Sequence, residues 1–335
     1  ALAIVMMAYG LPRDPLHFER FEKFNWLGIL VGLPSICSLV IVLYQGDRLD
    51  WFRSPVITNL AFWGGAAFVV FVINEAFHPS PYFRIQYWRS RNIQSSLLSL
   101  AGILAICSIM GEIPLTYLET VRGYRPIQAA PVSLVVALPQ LVMLPLIAWV
   151  CNNRKVDCRF VLAGGMVCLA ASAWLGTWLT VDWVRDNFYL LQILQVFGQP
   201  MTVIPTLMLA TMAMGPADGP FISGMVNMLK GLANAVAFAL FAAATRRREQ
   251  YHSTMLLDGH GTHQLALQGM GNPIDQQLTG TSPDGAHVAW NGLQVFHTFV
   301  HEQSLVLALT DIYDVLIWVC LGYAVLNLVL PHRVY

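Results

Sequence analysis

Apolar runs of about twenty residues recur along this chain, and at that length they mark helices that cross a membrane. Eight are complete, at roughly 25–45, 55–77, 94–118, 130–151, 159–180, 188–213, 221–245 and 306–330. Short polar loops separate the first seven. The stretch 246–305, rich in Gly, His, Gln and Thr, reads as one long loop before the eighth. The opening "ALAIVMMAYG" is already apolar and lacks a charged leader, so it reads as the end of a helix whose start is missing. The expected fold is therefore an all-α polytopic membrane protein.

Composition agrees. The chain is 56% hydrophobic and only 11% charged, with a mean hydropathy of +0.57. An ordinary soluble domain carries roughly 25% charged residues. Acidic and basic residues balance at 19 each, so no net charge points to nucleic acid. The six cysteines lie in or beside apolar runs with no Cys-x-x-Cys pair, which reads as reduced, packed thiols.

Orientation follows from the loop basic residues. One side holds ten: Arg13, Arg20, Lys23, Arg84, Arg89, Arg91, Arg154, Lys155, Arg159 and Arg333. The short loops of the other side hold five: Arg48, Arg53, Arg122, Arg125 and Arg185. The first side is expected to be cytoplasmic. Arg246, Arg247 and Arg248 then open the long outer loop, where the charge rule weakens.

Of the three lysines, Lys230 alone falls inside a span. It lies about nine residues from the start, or about 14 Å at 1.5 Å per residue. A lysine at a helix centre costs about 2.5–3.5 kcal/mol to insert. Asn227, Lys230, Gly231 and Asn234 share one face at three-and-four spacing, so the amides are expected to solvate the ammonium. Gln192, Gln195, Gln199, Thr202 and Thr206 make a second polar stripe on the preceding span, beside Pro200 and Pro205. Such stripes either line a polar path or bond neighbouring helices. Glu112, in "CSIMGEIPLTYL", is the other charge within a span, flanked by Gly111 and Pro114, and suits a site that takes and releases a proton. Glu75, Asp311 and Asp314 lie near span ends, where interfacial water is expected to solvate them.

Other chemistry is missing from the pattern. No lysine follows a glycine, so a phosphate-cradling GxxxxGK[ST] loop is absent. "HEQSL" from His301 has Leu305 where a zinc-binding HExxH needs its second histidine, and His260, His263, His297 and His301 read as loop residues. No enzyme, cofactor or metal site is expected.

Several stretches in order resemble the drug:proton antiporter-2 family of the major facilitator superfamily, the EmrB/QacA-type exporters with fourteen spans. "GDRLDWF" from Gly46 resembles the outer loop between that family's two extra central helices. "NEAFHPSPYFRIQYWRSRNI" from Asn74 is similar to its connector, and "YLETVRGYRPIQAA" from Tyr117 to its Tyr-Leu-Gln signature. "NNRKVDCR" from Asn152 resembles a basic cytoplasmic turn, and "QVFGQPMTVIP" from Gln195 keeps a Gln-to-Pro spacing. "NMLKGLANA" from Asn227 places Lys230 at a basic position of the family pattern.

The resemblance implies a division into three parts. Residues 1–12 would be the end of a truncated helix. Residues 13–93 would be a cytoplasmic linker with two inserted helices. Residues 94–335 would be a six-helix transporter half with an extracytoplasmic loop at about 246–305. It further implies proton-coupled export of amphipathic, drug-like or toxic compounds across a bacterial cytoplasmic membrane. A periplasmic adaptor protein and an outer-membrane channel are the implied partners. Proton-coupled uptake of a small metabolite, and a membrane scaffold or sensor working through its outer loop, are the competing readings.

Overall fold

The computed structural model describes residues 24–79, 81–82, 91–153, 156–212, 219–267 and 285–329. The opening stub, most of the basic connector at 83–90, and Arg154 with Lys155 lie outside the described residues. Eight helices are long and apolar enough to cross a membrane. They are α1 (Trp26–Gln45), α2 (Pro55–Phe77), α3 (Arg91–Thr120), α4 (Pro126–Cys151), α5 (Cys158–Gly176), α6 (Tyr189–Met212), α7 (Gly219–Leu267) and α8 (Gly285–Val329). This is a multi-pass helical membrane protein.

Local chemistry sets the helix starts. The Asn25 side chain accepts from the Gly28 amide at 2.9 Å and caps α1. Asp157 caps α5 through the Arg159 amide at 3.0 Å. Pro55 and Pro126 occupy first turns, where a missing N–H is harmless.

α1 and α2 pack on each other and meet the remaining helices chiefly along α7. Where α1 starts and α2 ends, Asn25 Nδ2 donates to Glu75 Oε1 at 2.8 Å, and Asn74 Nδ2 donates to Asn25 Oδ1 at 2.9 Å. Glu75 is only 3% exposed, so the expectation that interfacial water solvates it is corrected. Asn25 holds it instead, because burying a carboxylate is tolerable only when its lone pairs find donors.

α3 to α8 share one core. Ile103, Ile106, Met110, Ile113 and Tyr117 repeat at three-and-four spacing along α3 and meet Leu162, Met166 and Leu169 of α5 and Leu309 and Tyr313 of α8. α5 and α6 approach closely through two glycines. A Cβ on Gly165 would lie 2.8 Å from Met201 Cβ, and one on Gly198 would lie 2.8 Å from Leu169 Cδ2. Small residues at such points let helix backbones meet.

One expectation about the chain path changes. The stretch from residue 246 is not irregular at first: α7 continues unbroken to Leu267, and α8 already begins at Gly285. Residues 246–267 contain no proline, and their first turns are bonded to α8. His252 Nε2 lies 2.7 Å from Asp311 Oδ2, Arg248 Nη1 3.5 Å from the same oxygen, and His301 Nδ1 2.6 Å from Glu249 Oε1. Asp311 thus has two side-chain partners on α7.

The contacts around Arg246 agree with one another. Arg246 Nη1 donates to the Asp47 carbonyl at 2.7 Å, and Nη2 meets Asp50 Oδ1 at 3.0 Å. The α1–α2 turn and the end of the apolar part of α7 therefore sit at one end of the bundle. Tyr117 fastens the turn after α5, its hydroxyl lying 2.8 Å from the Thr180 carbonyl and 2.9 Å from that of Val181. That clamp explains why α5 stops at Gly176, four residues short of the expected end.

Candidate transport site

The site is built from α3 and α7, with α1 closing one side. Helical spacing puts Ser108 and Glu112 on one face of α3, a turn apart. Ser108 Oγ donates to Asn234 Oδ1 on α7 at 2.8 Å, which sets the register of the two helices. Glu112, half-buried, and Asn234 line a pocket of about 140 Å³ together with Tyr44, Phe238 and Phe241. The structure therefore joins two of the expected site residues, Glu112 and Asn234, which lie far apart in sequence.

Asn227 and Lys230 share the α7 stripe but lie nearer the start of the helix and are not among the described residues lining this pocket. Both are exposed, as is Asn234. Both amides have other partners: Asn227 Nδ2 is directed to Ser223 Oγ at 3.4 Å, and the Asn234 carbonyl oxygen accepts from Ser108. Among the described residues no acidic side chain pairs with Lys230. Its four-carbon stem lies on a polar face that the described helices leave uncovered.

The α6 stripe goes elsewhere. Gln192, Gln195, Thr202 and Thr206 are all buried, with Gln195 and Thr202 fully so. Gln140 Nε2 of α4 donates to Gln199 Oε1 at 3.5 Å, and Gln199 Nε2 to Gln195 Oε1 at 3.2 Å. Gln195 Nε2 in turn reaches Ser172 Oγ of α5 at 3.5 Å, and that hydroxyl donates to the Leu191 carbonyl at 2.9 Å. This is a continuous chain of hydrogen bonds across three helices. Thr202 bonds its own helix at the Gly198 carbonyl, 3.0 Å away, beside the close approach to α5. Of the two uses open to such a stripe, the geometry here is that of bonding between helices.

Sequence reasoning missed Tyr44, Ser108, Phe238 and Phe241. Ser108 carried a usable signal, standing four residues before Glu112 on the same face. The aromatics carried none, because Phe and Tyr in an apolar run look the same whether they face lipid or a pocket.

No protein-family model matches the chain. It is similar to the fatty acid resistance protein FarB of Neisseria gonorrhoeae, with 22% identity over 86% of this chain and 55% of the relative. It is also similar to the probable multidrug resistance protein EmrY of Escherichia coli, with 26% identity over 70% of this chain and 46% of the relative. A third relative is the multidrug export protein EmrB of Haemophilus influenzae, with 26% identity over 83% of this chain and 52% of the relative. The chain spans about half the length of these curated relatives. Across most of its length the chain is thus similar, at low identity, to multidrug and fatty acid resistance exporters of the EmrB and FarB kind.

Proposed function

We propose that this chain works as one half of a proton-coupled secondary transporter that exports amphipathic, drug-like or toxic compounds across a bacterial cytoplasmic membrane. Residues 94–335 would form the six-helix transporter half, and α1–α2 an inserted pair. The relatives are twice as long, so a second half of similar size would complete the path. The cargo is moved without covalent change. A periplasmic adaptor protein and an outer-membrane channel would carry it onward.

The observation that carries this reading is the half-buried Glu112 in a pocket beside the Ser108–Asn234 hydrogen bond. A carboxylate within a span is expensive unless it serves a polar path or a proton relay. Glu112 exchanges protons with the outside, and its charge state sets whether the pocket is negative. Lys230, farther in on α7, holds a fixed positive charge on the cytoplasmic side of that pocket. Charge on one group then favours or opposes charge on the other by ordinary Coulomb coupling.

The test uses the intact protein in proteoliposomes with an imposed proton gradient. Glu112→Gln should insert normally and lose gradient-driven export by at least about tenfold, the scale expected when a proton-transfer group is removed. Wild-type export with unchanged pH dependence in that variant would remove Glu112 from the mechanism.

A further inference from the structure

We propose that Cys151, Cys158 and Met208 form a three-sulfur site, where α4 ends and α5 begins, that binds a soft monovalent metal ion such as copper(I). The site lies apart from the Glu112 pocket and does not depend on the exporter reading. It also departs from the expectation that all six cysteines only pack.

The turn between α4 and α5 brings the two thiols together. Cys151 is the last residue of α4 and Cys158 the first of α5. The Asn153 amide donates to the Val150 carbonyl at 3.2 Å, and the Val156 amide to the Asn153 carbonyl at 2.9 Å, which folds the chain back tightly. Asp157 then starts α5, its carboxylate accepting from the Arg159 amide at 3.0 Å. As a result Cys158 Sγ donates to the Cys151 carbonyl at 3.8 Å, and the two thiols are side-chain hydrogen-bond partners.

Helix register adds the third sulfur. α5 and α6 run antiparallel, and their contacts step along both helices by seven residues, or about two turns. Ser172 Oγ donates to the Leu191 carbonyl at 2.9 Å, and a Cβ on Gly165 would lie 2.8 Å from Met201 Cβ and 3.0 Å from the Gly198 carbonyl oxygen. Seven residues farther along each helix from Gly165 and Met201 stand Cys158 and Met208, on the same faces. α4 is also antiparallel to α5, so it runs parallel to α6, with Gln140 Nε2 at 3.5 Å from Gln199 Oε1. Eleven residues on, or about three turns, Cys151 reaches the turn of α6 that carries Met208. The three residues accordingly pack in one cluster. Met201 belongs to that cluster too, but its end lies farther along α5: a Cβ on Gly164 would stand 3.2 Å from Met201 Cε.

Sulfur is the ligand type this cluster offers. Its other described members are Ile147, Val150, Val156, Val161 and Ile204, all aliphatic. Thiolate and thioether donors select soft ions, whereas magnesium and calcium take oxygen ligands and structural zinc takes four donors. Two thiols and one monovalent ion give a dithiolate complex and two released protons, with Met208 Sδ as a neutral third ligand. No electron is transferred. The bound ion ties α4, α5 and α6 together at one end.

Anaerobic titration of the intact protein in nanodiscs tests this, with copper(I) supplied from a coloured chelator that competes for the ion. The wild-type protein should withdraw one ion per chain and release two protons, read with a pH indicator. Cys158→Ser should weaken binding by at least about a hundredfold, since loss of even an outer-shell partner costs about 10–100-fold, and Met208→Leu by roughly tenfold. Cys37→Ser, at an exposed thiol, and Met201→Leu should keep wild-type affinity. Cys158 is only partly buried, so serine should be tolerated there, and the proton count on the wild-type protein needs no variant. No withdrawal of copper(I), wild-type affinity in Cys158→Ser, Met208→Leu binding as tightly as Met201→Leu, or displacement of copper(I) by an equal concentration of zinc(II) overturns the proposal.

Discussion

The polar stripes of α6 and α7 look alike in sequence, each built of amides at three-and-four spacing within an apolar helix. Their fates are opposite. The α6 stripe is buried and bonded into a chain that runs from Gln140 through Gln199 and Gln195 to Ser172. The α7 stripe stays exposed at Asn227, Lys230 and Asn234, with one bond across to Ser108. The difference comes from the neighbours. Gly165 and Gly198 let α5 and α6 close up until their polar groups must satisfy one another. No described helix covers the α7 face at Asn227 and Lys230. A stripe next to a glycine contact is thus a seam, while a stripe facing open space is free to meet a substrate or a second half.

The strongest attack on this contrast is at the seam. Gly165→Val should lower the thermal unfolding midpoint in detergent more than any other change named here. Its Cβ would stand 2.8 Å from both Met201 Cβ and Thr202 Cγ2, and overpacking of this kind costs roughly 1–3 kcal/mol. A midpoint matching wild type would mean the helices are not in close contact at that level.

Gln195→Ala should come next. It strips a partner from Ser172 and from Gln199, and a buried bond of this sort contributes about 1 kcal/mol, with membrane examples often lower. Export by the intact protein should survive in proportion to the folded fraction. If transport fails while stability is unchanged, the α6 stripe belongs to the path and the contrast collapses.

The smallest stability change is expected on α7. Lys230→Met removes a charge that no acidic group pairs with among the described residues, so folding should shift by less than about 0.5 kcal/mol, as at other surface positions. Insertion should improve, since the charge costs about 2.5–3.5 kcal/mol at mid-helix. Export should nevertheless fall sharply, and Lys230→Arg should keep part of it. Wild-type export by Lys230→Met would leave the lysine a snorkelling residue with no part in transport.

Much of this was legible before any coordinates. The eight spans follow from uninterrupted apolar length, and most of their ends agree to within a few residues. Glu112 stood out because a lone carboxylate in an apolar run needs a reason. The helical continuation of α7 past Arg246 was not legible, because its composition suggests a loop and only the side-chain contacts with α8 show why it stays helical. Glu75 was misread for a related reason: a carboxylate near a helix end usually finds water, and its partner Asn25 lies fifty residues away in sequence.

Sequence alone determined that this chain is a set of membrane helices, which of them carry polar faces, and that it resembles the EmrB/QacA-type exporters. Those are properties of residue type at local spacing, and hydrophobic length and helical period express them without reference to any other segment. Tertiary structure alone decided which polar face is sealed, that Glu112 and Asn234 share a pocket, and that Tyr44 from α1 lines it. Those depend on which backbone meets which, and that is settled where glycines admit close packing and where single bonds such as Ser108 to Asn234 set the register between helices remote in the chain.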